Sequence, residues 1–257
     1  MKKFISFLLR RIPRKYLQLV SHIGLKVLVI FYKGKGVKCS VCEKEFKKFL
    51  PYGRLEPREN ALCPNCLSLE RHRLIWKFLN EKTDFFTANL KMLHVAPEHC
   101  FIKRFGALPN LEHITADIES PLAQVKMDVH DIPFPENTFD VLFCNHVLEH
   151  VTDDFKVMSE FQRVLKPGGW AILQSPQWYH LETTYEDPTI TDPQEREKHF
   201  GQDDHLRIYG RDYGDRLRQG GFDVEDVDIN ASLTKEQIHY YGLPAQEVIY
   251  LCKKKAS

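Results

Sequence analysis

The sequence lacks any run of about 20 apolar residues, the length a membrane-spanning helix needs, so a chain built on such helices is excluded. It also lacks net charge: 36 Lys/Arg against 35 Asp/Glu leave +1, and the total names no partner. Spare cysteines for a secreted disulfide scaffold are missing too. Of seven cysteines, four form two Cys-x-x-Cys pairs, and Cys100, Cys144 and Cys252 sit singly in apolar segments. That usage suits reduced thiols and a metal, and with them a cytoplasmic setting.

What is present is a soluble composition, 43% hydrophobic and 28% charged, in a chain long enough for more than one core. The charge is unevenly placed. Residues 1–80 hold 18 Lys/Arg against 5 Asp/Glu, a balance of +13, and residues 81–257 hold 18 against 30, a balance of −12. Such a split suggests two units in different surroundings, the front one drawn to an anionic surface. Residues 1–35 read as a basic amphipathic segment, because Arg10-Arg11 ends the first apolar run and Gln18, Ser21, His22 and Lys26 interrupt the second. It fits a helix docked on the protein, or one lying on an anionic membrane surface at the inner membrane face.

Cys39-Ser-Val-Cys42 and Cys63-Pro-Asn-Cys66 are twenty residues apart, a spacing from which two facing turns close a tetrahedral zinc site. Four thiolates leave no open position, so the metal is read as structural and as a source of folding energy for a segment too small for a core. Residues 36–80 are expected to form this zinc ribbon and a linker helix. In that helix Leu67, Leu74, Ile75, Phe78 and Leu79 mark the apolar side, and Arg71, His72 and Arg73 form a basic cluster. The cluster reads as a solvated or salt-bridged face, or as a grip for a phosphate or carboxylate.

From about residue 90, short apolar runs alternate with helical patterns, which predicts a parallel sheet covered on both faces. Strands are expected over 91–96, 112–117, 125–128, 139–144 and 170–174, with a closing pair over 222–229 and 247–252. A helix over 153–165 is capped by Asp153 and ended by Lys166-Pro-Gly-Gly169. The stretch 176–208 is too long for an ordinary connection and reads as a substrate-covering insert.

From about residue 90 to the C-terminus this order resembles the class I S-adenosylmethionine-dependent methyltransferases, which implies such a domain over residues 81–257. Asp128-Val-His-Asp-Ile-Pro-Phe-Pro-Glu-Asn-Thr-Phe-Asp140, Val147-Leu-Glu-His-Val151 and Arg163-Val-Leu-Lys-Pro-Gly-Gly169 are similar to three successive motifs of the ubiquinone/menaquinone-biosynthesis type, methyltransferase type 11. The ribbon with Arg-Glu-Asn-Ala-Leu-Cys-Pro-Asn-Cys66 resembles a bacterial subgroup of that type. The resemblance implies an α/β fold, a Rossmann-like seven-stranded sheet preceded by a zinc ribbon and a basic N-terminal segment. It implies S-adenosylmethionine at Ala96, Pro97 and Glu98 after the first strand, Asp117 and Ile118 after the second, Asp128 and Val129 after the third, and Asn145 and His146 after the fourth. Asp117 suits the two ribose hydroxyls, since a carboxylate accepts from two adjacent donors. One departure is that the loop after the first strand, Val95-Ala-Pro-Glu-His-Cys100, has no glycine where the family brings its backbone close to the cofactor.

Within the insert, His205 reads as a general base oriented by Asp203 or Asp204, with Arg207 for an anionic part of the substrate. A turn-stabilising role fits the same residues. Glu149-His150 reads as a pair that holds its loop together. Three functions follow: methyl transfer to a small-molecule or glycan hydroxyl, methylation of RNA held by the basic ribbon, or a non-catalytic binding module on a degenerate fold.

Overall fold

The computed structural model describes residues 29–53 and 57–255, so most of the expected N-terminal segment, up to residue 28, lies outside the described residues. They divide into two units. One runs to Thr83 and takes in Ile229–Glu247; the other comprises Asp84–Asp228 and the chain from Val248. Residues 229–247, which the sequence leaves inside the sheet domain, therefore group with the ribbon. No described helix is long and apolar enough to cross a membrane.

In the first unit β1 (Lys33–Lys38) pairs antiparallel with β2 (Glu45–Phe46), and β3 (Leu50–Tyr52) with β4 (Arg58–Leu62). Cys39 and Cys42 lie in the β1–β2 connection, Cys63 and Cys66 directly after β4. The two turns are built alike. The Glu43 amide donates to the Cys39 carbonyl at 2.8 Å and the Leu67 amide to the Cys63 carbonyl at 3.0 Å. Glu43 and Leu67 both take the left-handed conformation, with φ of 58° and 61°.

Helix α1 (Glu70–Lys82) follows, with Leu74, Ile75, Phe78 and Leu79 buried as expected. Its basic cluster is not a solvated face. Arg73 is fully buried and stacks on Phe49, with its guanidinium carbon 4.2 Å from the ring centre. It donates to the carbonyls of Ser68 (2.8 Å), Ala61 (2.9 Å) and Gly242 (2.6 Å). Gly242 ends a second helix, Lys235–Tyr241, that starts in a Thr234/Gln237 capping box. A cation at a helix C-terminus meets the carbonyls that the helix leaves unpaired. One side chain thus ties α1, β4 and a segment about 170 residues later in the chain.

Gly242 has φ of 56°, and a Cβ there would sit 2.6 Å from the Phe49 ring and 2.9 Å from the Arg73 guanidinium. We expect Gly242→Ala to destabilise this unit by about 2–4 kcal/mol, from the left-handed backbone together with overpacking. Urea unfolding followed by hydrogen exchange over 235–242 checks this; an unchanged midpoint contradicts it.

The second unit holds a seven-stranded sheet. Its strands are β5 (Leu90–Val95), β6 (Leu111–Asp117), β7 (Val125–Lys126), β8 (Phe139–Asn145), β9 (Leu165–Gln174), β12 (Asp223–Val227) and β13 (Ile249–Lys253). Their order is β7-β6-β5-β8-β9-β13-β12, parallel except for β13, which runs antiparallel between β9 and β12. Between the strands lie α2 (His99–Phe105), α3 (Asp154–Val164), α4 (Pro193–Phe200) and α5 (Tyr213–Gln219). Buried central strands read as near-continuous apolar runs, as Leu93 to Val95 and Val141 to Cys144 do apart from His94. The Asp153 side chain caps α3 by accepting from the Lys156 amide at 2.8 Å, and α3 buries Val157, Met158, Phe161 and Val164 at helical spacing. Lys166 to Gly169, expected as a turn, instead continues β9 in a bulge opposite Phe139 to Val141.

The insert is ordered. β10 (Tyr185–Glu186) pairs antiparallel with β11 (Arg207–Ile208), and α4 lies between them. Helix α4 carries every local signal: Asp192 capping the Gln194 and Glu195 amides, Pro193 at its first position, and Gly201 closing it at φ of 82°.

Candidate functional site

Strand order reverses between β5 and β8: from β5 the chain winds outward to β6 and β7, then returns to β8 and β9 on the other side. Ligands of such sheets bind beyond the carboxyl ends of the strands at this point. The residues expected around the cofactor follow the carboxyl ends of β5, β6, β7 and β8, with Asp128 and Val129 after the edge strand β7. Ala96 follows β5 with φ of 47°, so the backbone makes a left-handed turn without glycine, fixed by the Ala96 amide donating to the Ala116 carbonyl. After Pro97, Glu98 precedes α2. Its carboxylate accepts from Asn145 Nδ2 at 2.8 Å, a bond that joins the ends of β5 and β8. Its other oxygen meets His94 Nε2 in the buried strand. The Asn145 side-chain oxygen, Oδ1, is buried and has no hydrogen-bond partner among the described residues. Glu98 and Asn145 together present acceptors suited to an ammonium group.

Asp117 ends β6. One of its oxygens accepts from the Glu119 and Ser120 amides at 2.8 and 2.7 Å, and the other takes no part in these bonds. Ile118 beside it is 58% exposed. Asp128 accepts from the His130 backbone amide and imidazole, and these hold its carboxyl below the usual range. Val129 is buried.

The loop after β8 continues through His146, which has φ of 56°, into Glu149 and His150. Glu149 is 2% exposed; Ser175, just after β9, donates to it at 2.9 Å. His146 Nδ1 lies 3.5 Å and His150 Nε2 3.9 Å from its other oxygen. Burial acts to raise the Glu149 carboxyl, but His146 and His150 hold it below the usual range. His205 also comes here, with its ring 4.7 Å from that of His150.

The insert residues behave differently from their expected roles. The His205 ring is oriented by the Phe200 carbonyl, 3.0 Å from Nδ1, and not by Asp203 or Asp204. Asp204 instead meets His150, through its carbonyl at 3.2 Å and its carboxylate at 3.6 Å. Burial keeps His205 below the ordinary histidine range. Arg207 is buried and donates to the carbonyls of Leu148, Val151 and Thr152 and to Glu186. It holds the β8–α3 loop against the insert, and these contacts occupy the side chain that the sequence assigns to an anionic substrate.

In the first unit, Cys39 Sγ lies 3.6 Å from Cys66 Sγ, and Cys42 Sγ 3.7 Å from Cys63 Sγ, all four within 4.8 Å of one another. Thiolates bound at ~2.3 Å to one tetrahedral zinc are about 3.8 Å apart. The cluster is compatible with zinc. Close approach of the other three thiols holds Cys39 far below the usual thiol range.

Residues 101–173 match the sequence model of a methyltransferase domain. Over 81 residues it is 35% identical to the ubiquinone/menaquinone biosynthesis C-methyltransferase UbiE of Escherichia coli, covering 32% of this chain and 27% of that protein. Over 72 residues it is 34% identical to an uncharacterized 37.1 kDa protein in transposon TN4556 of Streptomyces fradiae, covering 28% and 21%. The chain thus spans about a quarter of the length of these curated relatives. An S-adenosylmethionine-dependent methyltransferase structure from Archaeoglobus fulgidus aligns over 70% of this chain and 93% of its own, with 16% identity and a TM-score of 0.44. The matched segment contains the carboxyl end of β8, and so Asn145, His146, Glu149 and His150. Neither cysteine pair nor His205 falls within it. What the sequence missed is the meeting of His146, Glu149, His150 and His205. The signal for it was a Glu-His pair after a central strand and a further histidine in a long insert.

Proposed function

We propose that the chain binds S-adenosylmethionine beyond the carboxyl ends of β5, β6 and β8 and transfers its methyl group to a hydroxyl of a small-molecule or glycan acceptor. The observation that carries this reading is the buried Asn145 Oδ1, without a hydrogen-bond partner among the described residues, beside Glu98 at the strand-order reversal. Glu98 and Asn145 take the ammonium group, Asp117 the ribose hydroxyls, and Ile118 and Asp128 the adenine face and edge. Zinc at Cys39, Cys42, Cys63 and Cys66 is structural in this account.

Methyl transfer from a sulfonium is an in-line displacement, so alignment and a water-poor pocket supply most of the rate. A hydroxyl acceptor must also lose its proton, and the imidazoles around Glu149 stand where this would occur. Exposed Trp178, Tyr179 and Tyr185 on the insert offer flat apolar surface to a ring-shaped acceptor.

An acceptor screen with S-adenosylhomocysteine release as readout tests this. We expect release that depends on the acceptor and falls at least about a hundredfold in Asn145→Ala, since a lost buried contact to a charged group costs about 3 kcal/mol. Acceptor-independent release, unchanged by the substitution, contradicts it. Exposed Lys33, Lys35, Lys44, Lys47 and Lys48 on the ribbon favour RNA as the second reading. Binding of RNA that weakens steeply with salt would select it.

A further inference from the structure

The histidines around Glu149 share an arrangement that a loop-holding role does not require. His205 Nδ1 faces the Phe200 carbonyl and His150 Nδ1 the Asp204 carbonyl, so each ring places its proton on Nδ1 and keeps a lone pair on Nε2. The donor atoms of Glu149, His150 and His205 all lie within 4.8 Å of one another. His205 Nε2 is buried, in a residue only 5% exposed, and has no hydrogen-bond partner among the described residues. Glu149 is only 2% exposed, and among the described residues its ion-pair partners are histidines, with no lysine or arginine. A buried carboxylate beside a buried imidazole nitrogen with no hydrogen-bond partner among the described residues forms a donor set for a cation.

We propose that Glu149, His150 and His205 form a second metal site, for a divalent first-row transition ion, with His146 as a further ligand. Histidines that bind metal through one nitrogen characteristically donate the other N–H to a carbonyl or carboxylate, as His150 and His205 do here. Glu149 is held in the same way by Ser175 on the oxygen that does not face the histidines. Two imidazoles and a carboxylate suit manganese, iron, cobalt or zinc and leave coordination positions open. Three donors bound at ~2.1 Å to one ion stand about 3.0–3.6 Å apart, so donors now within 4.8 Å of one another would close on the ion by side-chain movements of about an ångström. The separations of 3.5 and 3.9 Å from Glu149 to His146 and His150 are too long for good hydrogen bonds and suit ligands of one ion.

The role of the ion rests on the methyl-transfer reading. An acceptor hydroxyl on an open position becomes more acidic. As its oxygen bonds to the methyl carbon, the carbon–sulfur bond breaks, its electron pair stays on sulfur, and the proton leaves to solvent.

The test uses the full chain with zinc in its ribbon, titrated with Mn²⁺ under electron paramagnetic resonance, because a thiolate site disfavours that ion. One saturable Mn²⁺ per chain is expected, weakened at least tenfold in both His150→Ala and Glu149→Gln, with zinc content and circular dichroism unchanged. His150 is partly exposed, so its truncation leaves the core intact. Absence of saturable Mn²⁺ and Co²⁺ binding up to millimolar concentration overturns the site, as does binding indifferent to both substitutions. S-adenosylhomocysteine titrated into the same samples separates the two claims. Cofactor bound without the ion leaves the methyl-transfer reading standing alone; the ion bound without cofactor leaves the metal site.

Discussion

Cys63→Ser is expected to unfold the entire first unit, including residues 229–247, which share no sequence neighbourhood with the cysteines. The ribbon has short strands and little core of its own, so zinc bound by the four cysteines would supply its folding energy, about 10–16 kcal/mol in isolated zinc modules at neutral pH. Loss of one thiolate opens the tetrahedral cluster formed by the 3.6 and 3.7 Å sulfur contacts. The effect then travels through Arg73, whose guanidinium joins Ser68 and Ala61 to Gly242. Without the ribbon, that cation loses its carbonyls and the Lys235–Tyr241 helix loses the cation at its C-terminus. Hydrogen exchange should show loss of protection over 235–242 together with 58–82, while β5, β8 and β9 keep theirs. Zinc analysis should fall from one equivalent to none. Retained protection over 235–242 in a zinc-free variant contradicts this coupling.

Asp154→Ala carries the second large effect, in the other unit. Asp154 is 2% exposed and accepts from Arg216 at 2.7 and 2.9 Å and from the Tyr209 hydroxyl at 2.8 Å, with Arg207 at 4.0 Å. Removing one partner of a buried ion pair typically costs 3–5 kcal/mol, and Glu186, which also meets Arg216 at 3.2 Å and Arg207 at 2.9 Å, places the cost here near the lower end. Calorimetry should show a transition lowered by roughly 10 °C. Burial acts to raise the Asp154 carboxyl, but Arg216 and Arg207 hold it below the usual range. A depressed carboxylate contributes stability above its unfolded range and loses it as pH falls through the folded value. The wild type should therefore lose stability in acid more steeply than Asp154→Asn. Parallel acid profiles for the two would show that the ion pair contributes nothing.

Much of the sheet was legible because period and punctuation are local. Buried central strands announce themselves as apolar runs, and Asp153 announces its helix by the cap it makes. The Cys-x-x-Cys pairs were legible for the same reason, since a ligand turn is a four-residue object. Long-range contacts were not legible. Arg73 looked like part of a solvated basic cluster because nothing near it in sequence shows that Phe49 and the carbonyl of Gly242 enclose it. Insert structure was missed although Asp192, Pro193 and Gly201 carried the signals for α4. In the candidate site, positions after each strand followed from topology. The left-handed turn at Ala96 did not, because that conformation is unfavourable for alanine and is imposed by the sheet around it. His205 was singled out, but its partners were misassigned: Asp204, its sequence neighbour, serves His150.

The account stands or falls on cofactor binding beyond β5, β6 and β8, and calorimetric titration of the zinc-loaded chain with S-adenosylhomocysteine measures it directly. We expect micromolar binding, weakened by at least about thirtyfold in Asp117→Ala, or ~2 kcal/mol for lost hydrogen bonds to a carboxylate, and partly restored in Asp117→Asn. A folded protein that gives no heat with the cofactor, or that binds it equally well without Asp117, would contradict the account.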